Sequence, residues 1–306
     1  MKKLGVLIIL CVIILCGCEK QAEINGFSMD APYSIRVNKI TDEETKSIKE
    51  LMASSDSIFD AYESSYLYLL NETKELYKTN ENEDLFSAIE KSLPYCGDYF
   101  DISIREYTKL WNFSSNSPVP PTDKQLKNAS EKTGFKNIII SNDKISLKNG
   151  SSIELGAVAK GYMCDKAYDL IKHREVILDI GGTVKSSYEK PITVGVRGEN
   201  GSILCSFEIK KGEAVSTSGS YERNFTYGGK LYHHILDPKT GMSVENNLMS
   251  VTVISDSALK SDILSTLYFV AGIKNAEISD DVTVIFVLKD GKIEVMGKNR
   301  VIKEIK

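Results

Sequence analysis

Residues 214–272 read AVSTSGSYERNFTYGGKLYHHILDPKTGMSVENNLMSVTVISDSALKSDILSTLYFVAG and concentrate polar side chains between apolar ones. Two of the three histidines of the chain, His233 and His234, stand here just before residues 237–241, a run of turn-forming residues. Residues 249–254 alternate as a strand does, and helical spacing follows them. The pattern predicts that a histidine-bearing strand and the first turns of a helix face one cleft.

Asp262 and Thr266 lie four positions apart on this predicted helix, so that a carboxylate and a hydroxyl share one face. Two hard oxygens at this spacing suit Mg²⁺, which completes its coordination with water and substrate phosphate. In the alternative interpretation, Asp262 caps or solvates the helix and Thr266 bonds to its own turn. The spacing alone leaves both interpretations open.

A second informative segment, ELGAVAKGY at residues 154–162, follows a predicted hairpin and opens a predicted helix. Its small residues let a ligand approach the backbone closely, and free amides at a helix start favour phosphate. Together with TSGSYER at 217–223, YHHILDPKTG at 232–241 and SDILST at 261–266, this segment resembles the ApbE family, the FAD:protein FMN transferases.

The resemblance implies a set of site residues. The Ala157 carbonyl, Asp262 and Thr266 would hold Mg²⁺, and Glu154 and Lys160 would contact FAD. Further contacts with the cofactor are expected from Met29, Tyr66, Trp111, Asn112, Phe113 and Leu236.

The chain departs from the family pattern at several of these positions. Glu154 replaces an aspartate, Asn112 replaces a glycine, and Arg105 and Glu106 stand where relatives tend to have Gly-Pro. Asp30 and Ala31 differ from the family's opening word around Met29. The resemblance therefore does not predict the backbone conformation at these positions.

The activity that the resemblance implies is transfer of FMN from FAD to a threonine or serine hydroxyl of a target protein, with a phosphoester formed and AMP released. His234 is the candidate base, because an unperturbed imidazole titrates near neutral pH. His233 should point to the opposite side of the strand, and the two exchange roles if the parity is reversed. Asp262 is a third candidate for the base.

Two other functions stay open: an Mg²⁺-dependent FAD pyrophosphatase that yields FMN and AMP, and a non-enzymatic flavin-binding lipoprotein.

The start of the chain has the pattern of a bacterial lipoprotein signal. Three residues with two lysines precede an apolar run at 4–15, which is too short to span a bilayer, and LCGC follows at 15–18. We expect a signal peptide at 1–17, a lipid on Cys18 and a tether at 18–26, which would place the protein on the extracytoplasmic face of the cell membrane. Plain secretion and an uncleaved anchor are the alternatives.

Composition limits the remaining classes. The chain has 38 basic and 42 acidic residues without basic clusters, which argues against nucleic-acid binding.

Predicted strands outnumber helices and hairpins are frequent, so residues 27–306 are expected to form one α+β catalytic domain with largely antiparallel or mixed sheets and flanking helices. The resemblance implies an ApbE-like (T-fold-like) fold. We predict a first strand at 27–37, a helix at 42–60 capped by Thr41 and a helix at 84–99.

Overall fold

The computed structural model describes residues 21–304. The predicted signal peptide and Cys18 lie outside the described residues. The helices are α1 (Asp42–Phe59), α2 (Tyr66–Thr73), α3 (Glu83–Ser92), α4 (Arg105–Trp111), α5 (Asp123–Ser130), α6 (Ala159–Ile171) and α7 (Ala258–Asn275). The strands are β1 (Gln21–Ser28), β2 (Ala31–Asn38), β3 (Glu75–Tyr77), β4 (Ile138–Ile140), β5 (Lys144–Leu147), β6 (Val176–Ile180), β7 (Thr183–Ser186), β8 (Ile192–Arg197), β9 (Ile203–Ile209), β10 (Ala214–Gly219), β11 (Asn224–Tyr227), β12 (Lys230–His233), β13 (Leu248–Ser255), β14 (Thr283–Leu288), β15 (Ile293–Gly297) and β16 (Lys303–Glu304).

An eight-stranded antiparallel sheet organises the fold, in the order β1-β2-β6-β7-β10-β13-β14-β15. Two three-stranded sheets, β16-β9-β8 and β3-β5-β4, and the hairpin β11-β12 complete it. These antiparallel sheets with helices confirm the predicted α+β class.

The two faces of the large sheet are covered differently. Helices α6 and α7 pack against each other and on the sheet, where Val251 and Val253 of β13 contact α7 residues such as Phe269. The alternate side chains, among them Ile254, pack with β8 and β9. Apolar residues on both faces explain why β13 is buried along most of its length.

Asp165 of α6 joins the two helices beneath the sheet. Its carboxylate accepts hydrogen bonds from the Ser257 hydroxyl at 2.7 Å, the Ala258 N–H at 2.9 Å and the Leu259 N–H at 3.0 Å. These are donors at the start of α7, where a negative charge is favourable. The buried Lys185 ammonium lies 2.7 Å from the same carboxylate. Asp165 therefore fixes the start of α7 relative to α6.

Gly161, one turn earlier in α6, allows the two helices to approach closely. A Cβ at this position would lie 2.5 Å from the Ala258 carbonyl oxygen and 2.7 Å from the Leu259 Cα. Only glycine fits without displacing backbone. The small residue predicted to admit a ligand thus serves helix packing.

The first predicted strand is wrong in extent. Residues 27–37 do not form one strand, because the chain reverses at Met29 and Asp30, which have φ of 52° and 57°, and β1 pairs with β2. Positive φ at both central residues matches the twist of a tight hairpin. Residues 21–26 of the predicted tether belong to strand β1 and pair with β2.

The helix predictions vary in accuracy. Helix α1 and its Thr41 cap are confirmed, with Thr41 and Glu44 forming a capping box. The helix predicted at 84–99 is too long, since α3 ends at Ser92 and a 3₁₀ turn with a proline follows. Between Gln21 and Glu304, no helix has both the length and the apolar character that crossing a membrane requires.

We predict that Asp165→Ala lowers the free energy of unfolding by roughly 3 kcal/mol, because it removes the acceptor of the Ala258 and Leu259 N–H groups and leaves the Lys185 charge buried without its partner. Urea denaturation measures the change. Asp169→Ala on the same helix is the matched control, because its pair with Lys172 is exposed. That control should cost well under ~1 kcal/mol. Similar losses in both variants would contradict the role assigned to Asp165.

Candidate active site

A cavity of about 580 Å³ opens where the β1–β2 turn, the turn before α6, the region after β12 and α7 meet. Nine residues singled out from the sequence line it, although they come from distant parts of the chain: Met29, Phe113, Glu154, Ala157, Lys160, His234, Leu236, Asp262 and Thr266. A concave site with a few convergent polar groups is the usual form of a small-molecule site.

Asp262 is held at the floor of this cavity. It is almost fully buried, its Oδ2 atom accepts the Gly161 N–H at 3.0 Å, and its Oδ1 atom accepts the Ser216 hydroxyl at 3.0 Å. The Lys160 ammonium lies 3.7 Å from Oδ2. Each carboxylate oxygen keeps a further lone pair for a ligand.

Thr266 lies one turn further along α7 in a network of hydroxyls. Its Oγ1 atom is 2.9 Å from the Ser218 Oγ atom, which also lies 2.8 Å from Ser265 Oγ. Thr217 and Ser218 of β10 line the cavity as well. Residues 217–223 are therefore hydrogen-bonded to residues 261–266 through side-chain hydroxyls.

Lys160 links the turn before α6 to the β6–β7 turn. Its ammonium donates to the Gly156 carbonyl at 2.8 Å. Gly181 has φ of 57°, and a Cβ there would lie 2.7 Å from Ala31 Cβ and 2.9 Å from Lys160 Cδ. The glycine turn after β6 therefore makes room for both the β1–β2 turn and Lys160.

His234 and His233 point to different environments. His234 lines the cavity, whereas His233 is buried with its ring edge-to-face against Phe269, at a centroid distance of 5.5 Å. The Nδ1 atoms of both are buried and have no hydrogen-bond partner among residues 21–304. Of the two histidines, His234 is the one that shares the cavity wall with Asp262 and Lys160.

The expectation of an unperturbed imidazole is wrong. Burial lowers the pKa of His234 to about 3, and the neighbouring Arg223 charge adds to this effect. Burial also lowers the pKa of His233 to about 4. Both rings are neutral at pH 7, so His234 has a lone pair available to accept a proton.

Trp111 does not reach the cavity, contrary to expectation. Its side chain is fully buried, its indole N–H donates to the Gly241 carbonyl at 2.7 Å, and Phe113 stacks on it at 5.5 Å. The ring is used to hold the turn at 237–241 and to support Phe113, which does line the cavity.

Asn112 and Tyr66 are also absent from the cavity wall. Asn112 ends α4 in the left-handed region, with φ of 41°, and is exposed. Asparagine is the residue that best replaces glycine in that conformation, which explains the departure from the family pattern. Tyr66, the first residue of α2, is half-buried against the core.

The β1–β2 turn holds Met29 at the cavity by a specific contact. The Met29 N–H donates to Asp56 Oδ1 at 2.7 Å, and the Asp30 carboxylate lies 3.6 Å from the Arg223 guanidinium. Left-handed conformations at two non-glycine residues cost energy and persist where the surroundings fix them. Asp56 supplies that restraint.

Carboxylates far outnumber cations in the cavity wall. The acidic residues there are Asp30, Asp56, Asp60, Glu63, Asp101, Glu154, Glu222 and Asp262, whereas the basic ones are Lys160 and Arg223. Burial raises the pKa of Glu222. An anionic ligand would need added positive charge to bind in such a cavity.

Sequence reasoning missed several residues that shape the site. The Asn71 side chain makes two hydrogen bonds to the backbone of Ile153: it accepts from the N–H at 2.6 Å and donates to the carbonyl at 2.9 Å. Ser216 and Asp165 position Asp262 and its helix. Asp165 follows the family-like segment at residues 154–162, and Asn71 ends residues 62–71 (YESSYLYLLN), which loosely resemble a further segment of the family; these positions are the signal that could have identified them.

No group of three or more His, Cys, Asp or Glu side chains suited to a metal ion exists within residues 21–304. The predicted Mg²⁺ ligands include only one such side chain, Asp262, together with a hydroxyl and a backbone carbonyl. This donor set is the kind that leaves most metal positions to water and substrate phosphate.

The fold and the cavity define an α+β domain with a small-molecule site formed mainly by α6, α7 and the loops around them. A family model described as the ApbE family matches residues 29–285. The chain belongs to the ApbE family.

Relatives and solved structures agree with this assignment. An FAD:protein FMN transferase of Klebsiella pneumoniae is 31% identical over 211 residues, covering 66% of this chain and 67% of the relative, and one of Vibrio cholerae is 26% identical over 85% of both chains. The crystal structure of an ApbE protein from Thermotoga maritima is 28% identical with a TM-score of 0.80, covering 90% of this chain and 96% of that one. The flavin transferase ApbE structure from Vibrio cholerae, 20% identical with a TM-score of 0.76 and covering 92% and 97%, shares the fold.

Acid should destabilise the protein through its buried histidines. Because the folded-state pKa of His233 is lowered to about 4, its contribution to stability is full above pH 6.5 and is lost as pH falls from 6.5 towards 4. Replacing it by glutamine should therefore reduce the fall in unfolding free energy between pH 6.5 and 5 by roughly 2 kcal/mol. Urea denaturation of both proteins at the two pH values measures this. Equal falls would contradict the neutral, buried state of His233.

Proposed function

We propose that this protein transfers the FMN unit of FAD to a hydroxyl of a target protein. The observation that carries the proposal is the cavity that gathers Asp262, Thr266, Ala157, Lys160 and His234 from three separate segments. The relatives named FAD:protein FMN transferase support the same reaction. A threonine or serine as acceptor, with a phosphoester product, completes the proposal.

The residues present fit a divalent cation such as Mg²⁺. Asp262, Thr266 and the Ala157 carbonyl would hold it, and all three offer the hard oxygen donors that Mg²⁺ prefers. The excess of carboxylates in the cavity favours a cation there, because a dianionic diphosphate would otherwise meet unbalanced negative charge. The cation would supply neutralisation of the phosphate oxygens and of the leaving AMP.

The protein's own residues account for the other parts of the reaction. Lys160, fixed by the Gly156 carbonyl, places an ammonium beside the proposed diphosphate site. The acceptor oxygen attacks the phosphorus on the riboflavin side, the bond from that phosphorus to the AMP phosphate oxygen breaks, and the acceptor proton passes to a base. FAD and the hydroxyl thus give the FMN ester and AMP.

His234 is the preferred base among the candidates. It lines the cavity and its imidazole is neutral, whereas His233 packs in the core. Asp262 already accepts hydrogen bonds from Gly161 and Ser216 and is proposed to bind the cation. An anionic diphosphate beside His234 raises the pKa of the imidazole from its low value and so favours proton acceptance during the reaction.

The cellular setting is proposed from the start of the sequence. The basic start, the apolar run and the cysteine at position 18 support a lipid-anchored protein on the extracytoplasmic face of the cell membrane, with an extracytoplasmic acceptor protein. Replacing Cys18 by alanine and following the protein in membrane and soluble fractions tests the anchor. Unchanged membrane association would contradict lipidation at this residue.

Incubation with FAD, a Thr-containing peptide pool and either Mg²⁺ or EDTA tests the reaction. We expect fluorescent peptides heavier by one FMN, together with AMP, in the Mg²⁺ sample alone. Free FMN and AMP without labelled peptide would indicate an FAD pyrophosphatase. Unaltered FAD that is bound by the protein would indicate a flavin-binding lipoprotein.

Asp262→Ala should abolish turnover and retain FAD binding, because the change removes the carboxylate proposed to bind the cation. We expect a fall in kcat of about 10³-fold or more. AMP release measures turnover, and quenching of flavin fluorescence measures binding. Asp290→Ala in the β14–β15 turn, distant in sequence from every cavity-lining residue, is the control and should retain wild-type rates. Wild-type turnover in Asp262→Ala would refute the metal assignment.

His234→Ala should slow the chemical step by about 10²-fold or more, which is the range for loss of a general base. FAD affinity should change little, and the rate should partly recover at higher pH, where hydroxide and the ionised acceptor replace the base. Single-turnover measurements of AMP release between pH 6 and 9 provide the test. A pH profile parallel to that of the wild type would argue against His234 as the base.

A further inference from the structure

A buried arginine lies behind the cavity wall. Arg105, at the start of α4, is 3% exposed, and its Nη1 atom lies 3.0 Å from the Oε2 atom of Glu154, which lines the cavity. A charge buried to this degree is costly unless it is paired and hydrogen-bonded. The Arg105–Glu154 pair therefore helps to hold the cavity wall in place.

The guanidinium of Arg105 also contacts a second segment of the cavity wall, residues 61–62. Its Nη2 atom donates to the Ala61 carbonyl, and the group lies 4.3 Å from the centre of the Tyr62 ring. The Thr108 hydroxyl donates to the same Glu154 oxygen at 3.3 Å. Ala61, Tyr62 and Thr108 all line the cavity, so Arg105 joins residues 61–62 to Glu154 without lining the cavity itself.

The contacts leave one oxygen of Glu154 available. The Glu154 N–H donates to the Ile102 carbonyl at 2.7 Å, and Oε2 receives both Arg105 and Thr108. Among the described residues, Oε1 has no hydrogen-bond donor, and a Cβ built on Gly156 would lie 3.6 Å from it. A carboxylate fixed on one side and free on the other is suited to accept from a ligand N–H or O–H group.

We propose that Arg105 is a positioning residue of the cofactor site, which holds Glu154 in one orientation and neutralises its charge so that Glu154 can accept a hydrogen bond from the flavin nucleotide. This rests on the proposed function, because it assumes that the cavity binds FAD. The wall already carries many carboxylates, and an unpaired Glu154 would add a further negative charge facing an anionic dinucleotide.

The pair also explains two departures of the sequence together. Glu154 is one methylene longer than the aspartate of the family pattern, and Arg105 stands near where relatives have Gly-Pro. A longer carboxylate needs a partner that limits its rotamers, and the planar guanidinium supplies that partner with directed donors.

A double-mutant cycle on full-length protein tests the proposal, with the Kd for FAD measured by flavin fluorescence in the presence of Mg²⁺ and without an acceptor peptide. Arg105→Met should weaken FAD binding by about tenfold or more, because it leaves Glu154 charged and unpaired. Glu154→Gln should cost less, and the Arg105→Met change should add little in the Glu154→Gln background. Arg105→Lys, which keeps the charge, should retain more affinity than Arg105→Met.

Lys109→Met on the exposed side of α4 is the matched control, because it removes the same charge from the same helix and should not change FAD affinity. Additive losses in the double variant, or equal losses in Arg105→Lys and Arg105→Met, would overturn the proposal. Wild-type protein that fails to bind FAD would contradict the proposed function instead. The same cycle measured in the free energy of unfolding would then decide the coupling of Arg105 and Glu154: independent effects would overturn the proposal.

Discussion

The contact between α6 and α7 is the constraint on which the site depends. Asp165 accepts the first donors of α7, and Gly161 lets the α7 backbone come within van der Waals distance of α6. The Gly161 N–H then meets the Asp262 carboxylate directly. A shift of α7 along its axis would move Asp262 and Thr266 together away from Lys160 and the turn before α6, so one helix junction sets the distances within the cavity.

Around this junction, side chains from the large sheet and from the region after β12 form part of the cavity wall. Strands β10 and β13 of the large antiparallel sheet pack against α7, and hydroxyl groups of β10 hydrogen-bond to side chains on the polar face of that helix. His234 sits just after β12, outside the large sheet, and is held by its N–H bond to the Arg223 carbonyl. Burial keeps the imidazole neutral in the free protein, and the proposed anionic diphosphate would raise its low pKa and so make it a stronger base.

Departures from the family pattern become intelligible in three dimensions. Asn112 occupies the left-handed end of α4, where asparagine can replace glycine. The strained turn at Met29 and Asp30 is fixed by Asp56 and by the pair with Arg223. The conformational preference of asparagine explains the first departure, and neighbouring contacts compensate for the second.

Sequence patterns alone predicted the α+β class, the Thr41 cap of α1, the strand at residues 249–254, and the grouping of Asp262, Thr266, Lys160 and His234 as site candidates. These features depend on local periodicity, capping and recognisable segments. Tertiary structure alone decided that Trp111 supports Phe113, that residues 21–28 form a strand, and that the histidine pKa values are low. Burial, a helix-to-helix cap such as Asp165 and an ion pair such as Arg105 with Glu154 join residues far apart in the chain, and no local pattern encodes which partner each will meet.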